Sequence, residues 1–199
     1  MVPLQILVRN MGKEALIRKE KLALRKAVEI SERQKMNDSI YENVISLKAY
    51  ESAAVVFLYA STKYEADTFK IMEHALKNKK RVALPLTVSE TQMQFYYVDD
   101  VKTQLEAGYM GIMEPLADKC IHASAESCEL IIVPGSVFDK DLNRMGYGRG
   151  YYDRFLAKID CIKIGLCYEM QLTDKIDAKP TDVKMDMLVT EKSVYGRSI

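Results

Sequence analysis

The residues best suited to chemistry lie together in one stretch: Val133-Pro134-Gly135-Ser136-Val137-Phe138-Asp139-Lys140-Asp141-Leu142-Asn143-Arg144-Met145-Gly146-Tyr147-Gly148-Arg149-Gly150-Tyr151-Tyr152-Asp153-Arg154. Glycines at 146, 148 and 150 alternate and run directly into a helix start. Glycine permits positive φ and close approach of a ligand, so successive N–H groups can point into one concavity. With the positive end of a helix behind them they form an anion site. Arg144 and Arg149 add full charges where a polyphosphate would lie. A glycine-rich strand–helix connection is by itself as readily a tight turn as a phosphate loop. The two arginines and Asp153 in the same few positions favour the phosphate. A dinucleotide fingerprint would need glycine where Tyr151 stands, and a Walker loop would need a Gly-Lys-Ser/Thr that the chain lacks.

Other chemistries find little support. Only His74 and His122 are present, neither with a ligand-like neighbour at metal spacing, which argues against a Cys/His zinc site. Cys120, Cys128, Cys161 and Cys167 form no C-x-x-C pair and read as free thiols in a reducing cytosol. No Ser/His/Asp or Cys/His constellation for nucleophilic catalysis stands out.

The elements that must position this loop can be read from periodicity. Lys13 to Lys26 has helical spacing among many cations. A second helix is expected from Ser31, where Ser31-Glu32-Arg33-Gln34 fits a capping box, to about Lys48. Ala53 to Tyr59 reads as a buried strand. A helix is expected over Ala66 to Asn78, then a short strand from Arg81 to Leu86 stopped by Pro85, and a strand from Met93 to Val98. Gly108, Gly111 and Pro115 mark an irregular connection. Glu129 to Val133 is a second buried strand, Tyr151 to Ile159 a helix, and Lys163 to Tyr168 and Asp186 to Thr190 are strands. Strands alternating with helices imply a three-layer α/β/α sandwich with a mostly parallel central sheet, Rossmann-like, with ligands beyond the carboxyl ends of the strands.

Composition bounds the rest. The 199 residues carry 29 Lys+Arg against 28 Asp+Glu, a net charge of +1, which disfavours a protein built to wrap nucleic acid. Hydrophobic residues make up 48%, the balance of a globular protein, and no apolar run approaches the ~20 residues of a membrane helix. The first residues lack the basic region and cleavage site of a secretory signal. Met11 could itself be a start, so residues 1–12 are read as an N-terminal extension and 13–199 as one domain.

The stretch Pro134-Gly135, Phe138-Asp139, Arg144-x-Gly146-x-Gly148-x-Gly150-Tyr151-Tyr152-Asp153-Arg154 resembles the ATP loop of the 5-formyltetrahydrofolate cyclo-ligase (5,10-methenyltetrahydrofolate synthetase) family. Similarity continues in family order from about residue 13 to 191. It includes Arg18 and Arg25, Glu65-Ala66-Asp67-Thr68, Pro85, Met93-x-Phe95 and Gly108-x-x-Gly111-Ile112-x-Glu114-Pro115. Gly165-Leu166 before Gln171, and Asp182-x-x-x-Asp186 to Thr190-Glu191, complete it. The resemblance implies a cytoplasmic, monomeric enzyme that uses ATP and Mg2+ to convert 5-formyltetrahydrofolate to 5,10-methenyltetrahydrofolate, releasing ADP and phosphate.

The resemblance also implies roles. Arg144 and Arg149 would act on the phosphates in catalysis. ATP would be bound by Lys13, Arg18, Arg144, Gly146, Tyr147, Gly148, Arg149, Gly150, Tyr151 and Tyr152. Glu65 would accept the pterin amino group and adjacent N–H, with Met93, Tyr147, Tyr151 and Tyr152 around the substrate. Asp153 and Asp182 would hold the metal. Each has a plainer reading: Asp153 and Glu65 as helix N-terminal acids, the arginines as solvated surface charges, the tyrosines and Met93 as packing. The chain departs from the family pattern in three places. Lys13 lies five residues before Arg18, where the family lysine lies three or four before; Leu142 stands where a glycine is common; and Thr181 replaces a histidine. A sensor that binds a phosphorylated metabolite without turnover is the alternative, and a sugar-phosphate isomerase a third reading. Intact Glu65, Asp153 and Asp182 favour the enzyme.

Overall fold

The computed structural model describes residues 12–108 and 111–196. Apart from Gly12, the proposed N-terminal extension and the candidate start at Met11 lie outside the described residues. Helices α1 (Lys13–Ala27), α2 (Ile30–Ile45) and α3 (Lys48–Ser52) lead into strand β1 (Val55–Phe57). Helix α4 (Phe69–Lys77) follows, then β2 (Arg81–Thr87), β3 (Met93–Tyr97), β4 (Leu105–Ala107), β5 (Met113–Pro115), β6 (Ile121–Ala123) and β7 (Leu130–Val133). Beyond these come β8 (Val137–Asp139), β9 (Arg144–Met145), helix α5 (Tyr151–Leu156), β10 (Ile162–Leu166), β11 (Leu172–Thr173), β12 (Met187–Val189) and β13 (Val194–Gly196).

Among the described residues the main sheet runs β13-β12-β10-β7-β1-β2-β3-β6. Its five middle strands are parallel; β13, β3 and β6 are antiparallel additions at the edges. The centre is apolar on both faces, as buried parallel strands must be. Leu130 and Ile132 of β7 face one core while Ile131 and Val133 face the other, and all four are fully buried. The first core is covered by Met36, Ile40 and Val44 of α2, Ala49 and Tyr50 of α3, and Ile71 and Met72 of α4. The second is closed by Phe138, Phe155, Leu156 and Met185. Phe95 stacks between Phe57 and Phe155, with centroids 4.6 Å from each, and so fixes α5 on the sheet.

The expected layers and mostly parallel sheet are present, with local differences. Helix α2 starts at Ile30 with Glu29 as an uncapped N-cap, so Ser31 forms no capping box. Arg33 instead sends its guanidinium back to the carbonyls of Arg25 and Val28, and the first helical bond runs from Arg33 N–H to Glu29 O. The helix ends at Ile45, and the turn to Leu47 begins α3. Pro85 does not stop β2; it pairs with Phe95 inside the strand. Val82 O accepts from Val98 on the β3 side and Ala83 O from Leu58 on the β1 side. Alternation puts Pro85 on the β1 side, past the end of β1, so its missing N–H breaks no ladder. The connection expected to be irregular is the β4–β5 hairpin, with Pro115 opposite Leu105. Helix α5 stops at Leu156, three residues early, in a tightened last turn.

Candidate active site

From β1 the chain adds β2, β3 and β6 on one side; from β7 it adds β10, β12 and β13 on the other. The strand order therefore reverses between β1 and β7, and a crevice opens beyond their carboxyl ends, where parallel sheets bind ligands. The segment after β1 carries Glu65, and the segment after β7 carries the glycine loop. Thr62 clamps Glu65 Oε2 with its backbone N–H and its hydroxyl, both at 2.8 Å. Glu65 Oε1 accepts the Tyr147 hydroxyl at 2.5 Å. Two distant parts of the sequence thus meet across the crevice.

The glycine loop is built on a hairpin. Beyond β7, strands β8 and β9 pair antiparallel, and β11 adds to β8. Asp139, fully buried, closes the turn by accepting Asn143 N–H at 2.9 Å and Ile176 N–H at 2.8 Å. Leu142 has φ 68°, a left-handed conformation that glycine adopts without strain and leucine does not. Gln171 Nε2 donates to Gly135 O at 2.9 Å and fixes the start of the loop. At its end Gly148 (φ 97°) and Gly150 (φ 67°) turn the chain into α5. With only six residues, α5 adds less helix-end charge than expected, so an anion here relies on loop amides and side-chain cations.

The expected phosphate cations differ in their surroundings. Arg18 Nε donates to Gly146 O at 2.8 Å, which brings α1 against the loop. Arg144 is not a solvated charge: its side chain is 3% exposed and pairs with Asp153 Oδ1 at 2.7 Å, its carbon over the Tyr152 ring. The Arg149 carbonyl accepts from Arg154. Lys13 pairs with Asp177 at 3.2 Å on the surface. Together with Arg18, Met145 and Lys175 it lines a cavity of about 460 Å³ outside the loop.

Val183 N–H reaches Asp153 Oδ1 at 3.4 Å, which brings the backbone next to Asp182 against Asp153. Asp182 Oδ2 accepts Lys179 N–H at 2.8 Å. Each carboxylate keeps a second oxygen without a hydrogen bond among the described residues. Hard oxygens of this kind suit magnesium, which takes one or two carboxylates and fills its shell with phosphate oxygens and water. No cluster of three or more His, Cys, Asp or Glu suited to a metal occurs among the described residues.

The three tyrosines separate. Tyr147 reaches Glu65; desolvation, then the Glu65 charge, push its phenol upward, so it stays a donor. Tyr151 donates to Ser89 O at 3.1 Å in the β2–β3 turn. Tyr152 packs between the two cores, and burial, then the Glu65 charge, raise its phenol. Met93 opens β3 and packs against the second core. The sequence gives no sign of the Thr62 clamp, since its spacing of three to Glu65 is that of any turn. Nor does it assign Arg25 a role, although Arg25 lies seven residues, two helical turns, after Arg18.

The sequence profile of the 5-formyltetrahydrofolate cyclo-ligase family matches residues 10–191. The "Probable 5-formyltetrahydrofolate cyclo-ligase" of Schizosaccharomyces pombe is 32% identical over 171 residues, covering 78% of this chain and 84% of that protein. The chain belongs to the 5-formyltetrahydrofolate cyclo-ligase family. Among solved structures, the 5,10-methenyltetrahydrofolate synthetase of Aquifex aeolicus is similar with a TM-score of 0.83 and 31% identity, over 94% of this chain and 96% of that one. The synthetase of Mycoplasma pneumoniae shares the fold with a TM-score of 0.74 at 24% identity, over 90% and 99%. In this cyclo-ligase family member the glycine loop and Glu65 face one crevice.

Proposed function

We propose that the protein converts 5-formyltetrahydrofolate to 5,10-methenyltetrahydrofolate at the expense of ATP. The observation that supports this reading most is the Glu65–Tyr147 contact across the switch point, which brings a carboxylate able to accept pterin donors beside a loop able to accept phosphates. A formamide oxygen is a poor leaving group. It attacks the γ-phosphorus, the bond to ADP breaks with its electron pair on ADP, and an imidate phosphate forms. Nitrogen 10 of the folate then adds to that carbon and loses its proton, and phosphate departs with the former formyl oxygen.

Such chemistry needs positioning and charge neutralisation rather than a protein nucleophile. Glu65 orients the pterin through its amino group and N–H. Amides of Gly146–Gly150, with Arg18 and Arg149, hold the triphosphate, and Arg144 keeps Asp153 in place. Asp153 and Asp182 would hold magnesium, which when bound neutralises phosphate charge. A cytoplasmic location completes the reading, supported by four cysteines outside any disulfide, and a monomer is part of the same proposal.

The test is absorbance in the methenyltetrahydrofolate band with purified protein, 5-formyltetrahydrofolate, magnesium and ATP. A rise requiring all three is expected. ATP binding without any rise would sink the enzyme reading in favour of a sensor.

A further inference from the structure

Arg25 is the one buried residue of α1 among its described side chains, 3% exposed, and its Nε and Nη1 have no hydrogen-bond partner among the described residues. Its position is not accidental. Arg33 bonds the Arg25 carbonyl at 2.8 Å and the Lys63 carbonyl at 2.7 Å, so one guanidinium ties the end of α1 to the segment holding Glu65. Seven residues earlier on the same helix face, Arg18 ties α1 to Gly146. Between these anchors the Arg25 side chain lies near Tyr147, Tyr168 and Cys167, each of which feels its positive charge. Tyr168 in turn donates to Glu65 O at 3.0 Å.

A charged group removed from water with unfilled donors is costly, and buried polar groups ordinarily find partners. The place of this one, between the Glu65 segment and the glycine loop, indicates that the partner is supplied with the substrates. Nε–H and Nη1–H also diverge across the guanidinium plane. They suit two separate acceptors better than the paired oxygens of one carboxylate.

We propose that Arg25 is a catalytic residue that donates to the formyl oxygen of the folate and to an oxygen of the γ-phosphoryl group, holding nucleophile and electrophile together. This rests on the cyclo-ligase reading above. Arg25 remains charged throughout and transfers no proton. Its contribution is alignment of the attacking oxygen with phosphorus, together with charge on the transferring group.

The test is Arg25→Met beside the wild-type protein. Calorimetric titration of 5-formyltetrahydrofolate is made with and without a non-hydrolysable ATP analogue. In the wild type each ligand should tighten the other by about fivefold or more, and in the variant that coupling should vanish. Turnover should fall by about a hundredfold. Binding of 5-methyltetrahydrofolate, which lacks the formyl oxygen, should change less than twofold by the same argument. Because the replaced group has unfilled donors, the ligand-free variant should melt no lower than the wild type. Unchanged coupling and turnover, equal losses for the methyl and formyl folates, or a lowered melting temperature with all ligands weakened alike would overturn the assignment. Absence of turnover in the wild type would instead remove the parent reading.

Discussion

Tyr147 donates its hydroxyl to Glu65 Oε1 at 2.5 Å, while both donors of Thr62 occupy Oε2. A carboxylate has about four acceptor sites, so roughly three are already filled. A pterin approaching with two donors must therefore displace one, and Tyr147 is the donor that comes from another element. Tyr147→Phe removes the competitor and keeps the ring. Its KM for 5-formyltetrahydrofolate should fall by about two- to tenfold, with KM for ATP unchanged. Glu65→Gln, which turns one acceptor into a donor, should raise the folate KM by at least about tenfold and spare ATP. Equal effects of either variant on both substrates would take Glu65 off the pterin.

Asp153 has two duties. Besides its free oxygen, it neutralises Arg144, whose side chain is almost wholly buried. Asp153→Ala should cost about 3 kcal/mol in urea unfolding, at the low end for a broken buried pair because Asp153 keeps some solvent contact. Asp153→Asn keeps an acceptor for Arg144 and should lose less stability. It should still abolish magnesium-dependent turnover, and near-normal activity in it would remove Asp153 from the metal.

Leu142 couples strain to packing, since its left-handed backbone sits beside a side chain half-buried on the second core. Leu142→Ala loses the contacts and retains the strain. Leu142→Gly loses the same contacts and relieves it. The glycine variant should be the more stable of the two by about 1 kcal/mol, measured by denaturant midpoint.

The sulfurs of Cys128 and Cys161 lie 3.3 Å apart, just before the starts of the paired strands β7 and β10. The Cys128 thiol donating to it, aided by Lys163, holds Cys161 below the ordinary thiol range, whereas burial first among several effects pushes Cys120 up. A lowered value means more thiolate at a given pH, so iodoacetamide should modify Cys161 before Cys120 as pH rises. Cys128→Ser leaves a hydroxyl donor and should shift the onset little; Cys128→Ala should move it to higher pH. Mass spectrometry of the peptides reads both.

How much of this was legible in the chain follows from what each feature depends on. The central strands stand out because parallel strands buried on both faces must be continuous apolar runs, and Leu130–Val133 is one. The glycine loop stands out because few residues permit its backbone. Arg144 and Asp153, nine apart, meet only because a hairpin and α5 fold back on each other, a path that no local pattern encodes. Arg25 lies on a helix rich in cations and reads as another solvated charge. Its backbone is tied through Arg33 to the carbonyl of Lys63, far along the chain, a link that no local pattern announces. The false capping box at Ser31 has the same origin, because Arg33 is drawn backward by α1.

Helix α1 buries little apolar area, chiefly Ile17 against Val137, Met145 and Ile176, and most of its attachments are polar: Arg18 to Gly146 O, Lys21 to Leu172 O, and Arg33 to its last turn. A segment with so little buried hydrocarbon detaches at a small fraction of the free energy needed to unfold the strands. Its amides should exchange with deuterium well before those of β1 and β7. Added ATP and folate should slow exchange in α1 while leaving the central strands unaffected. The wall of the crevice should thus yield before the sheet behind it, and occupancy of the crevice is what secures it.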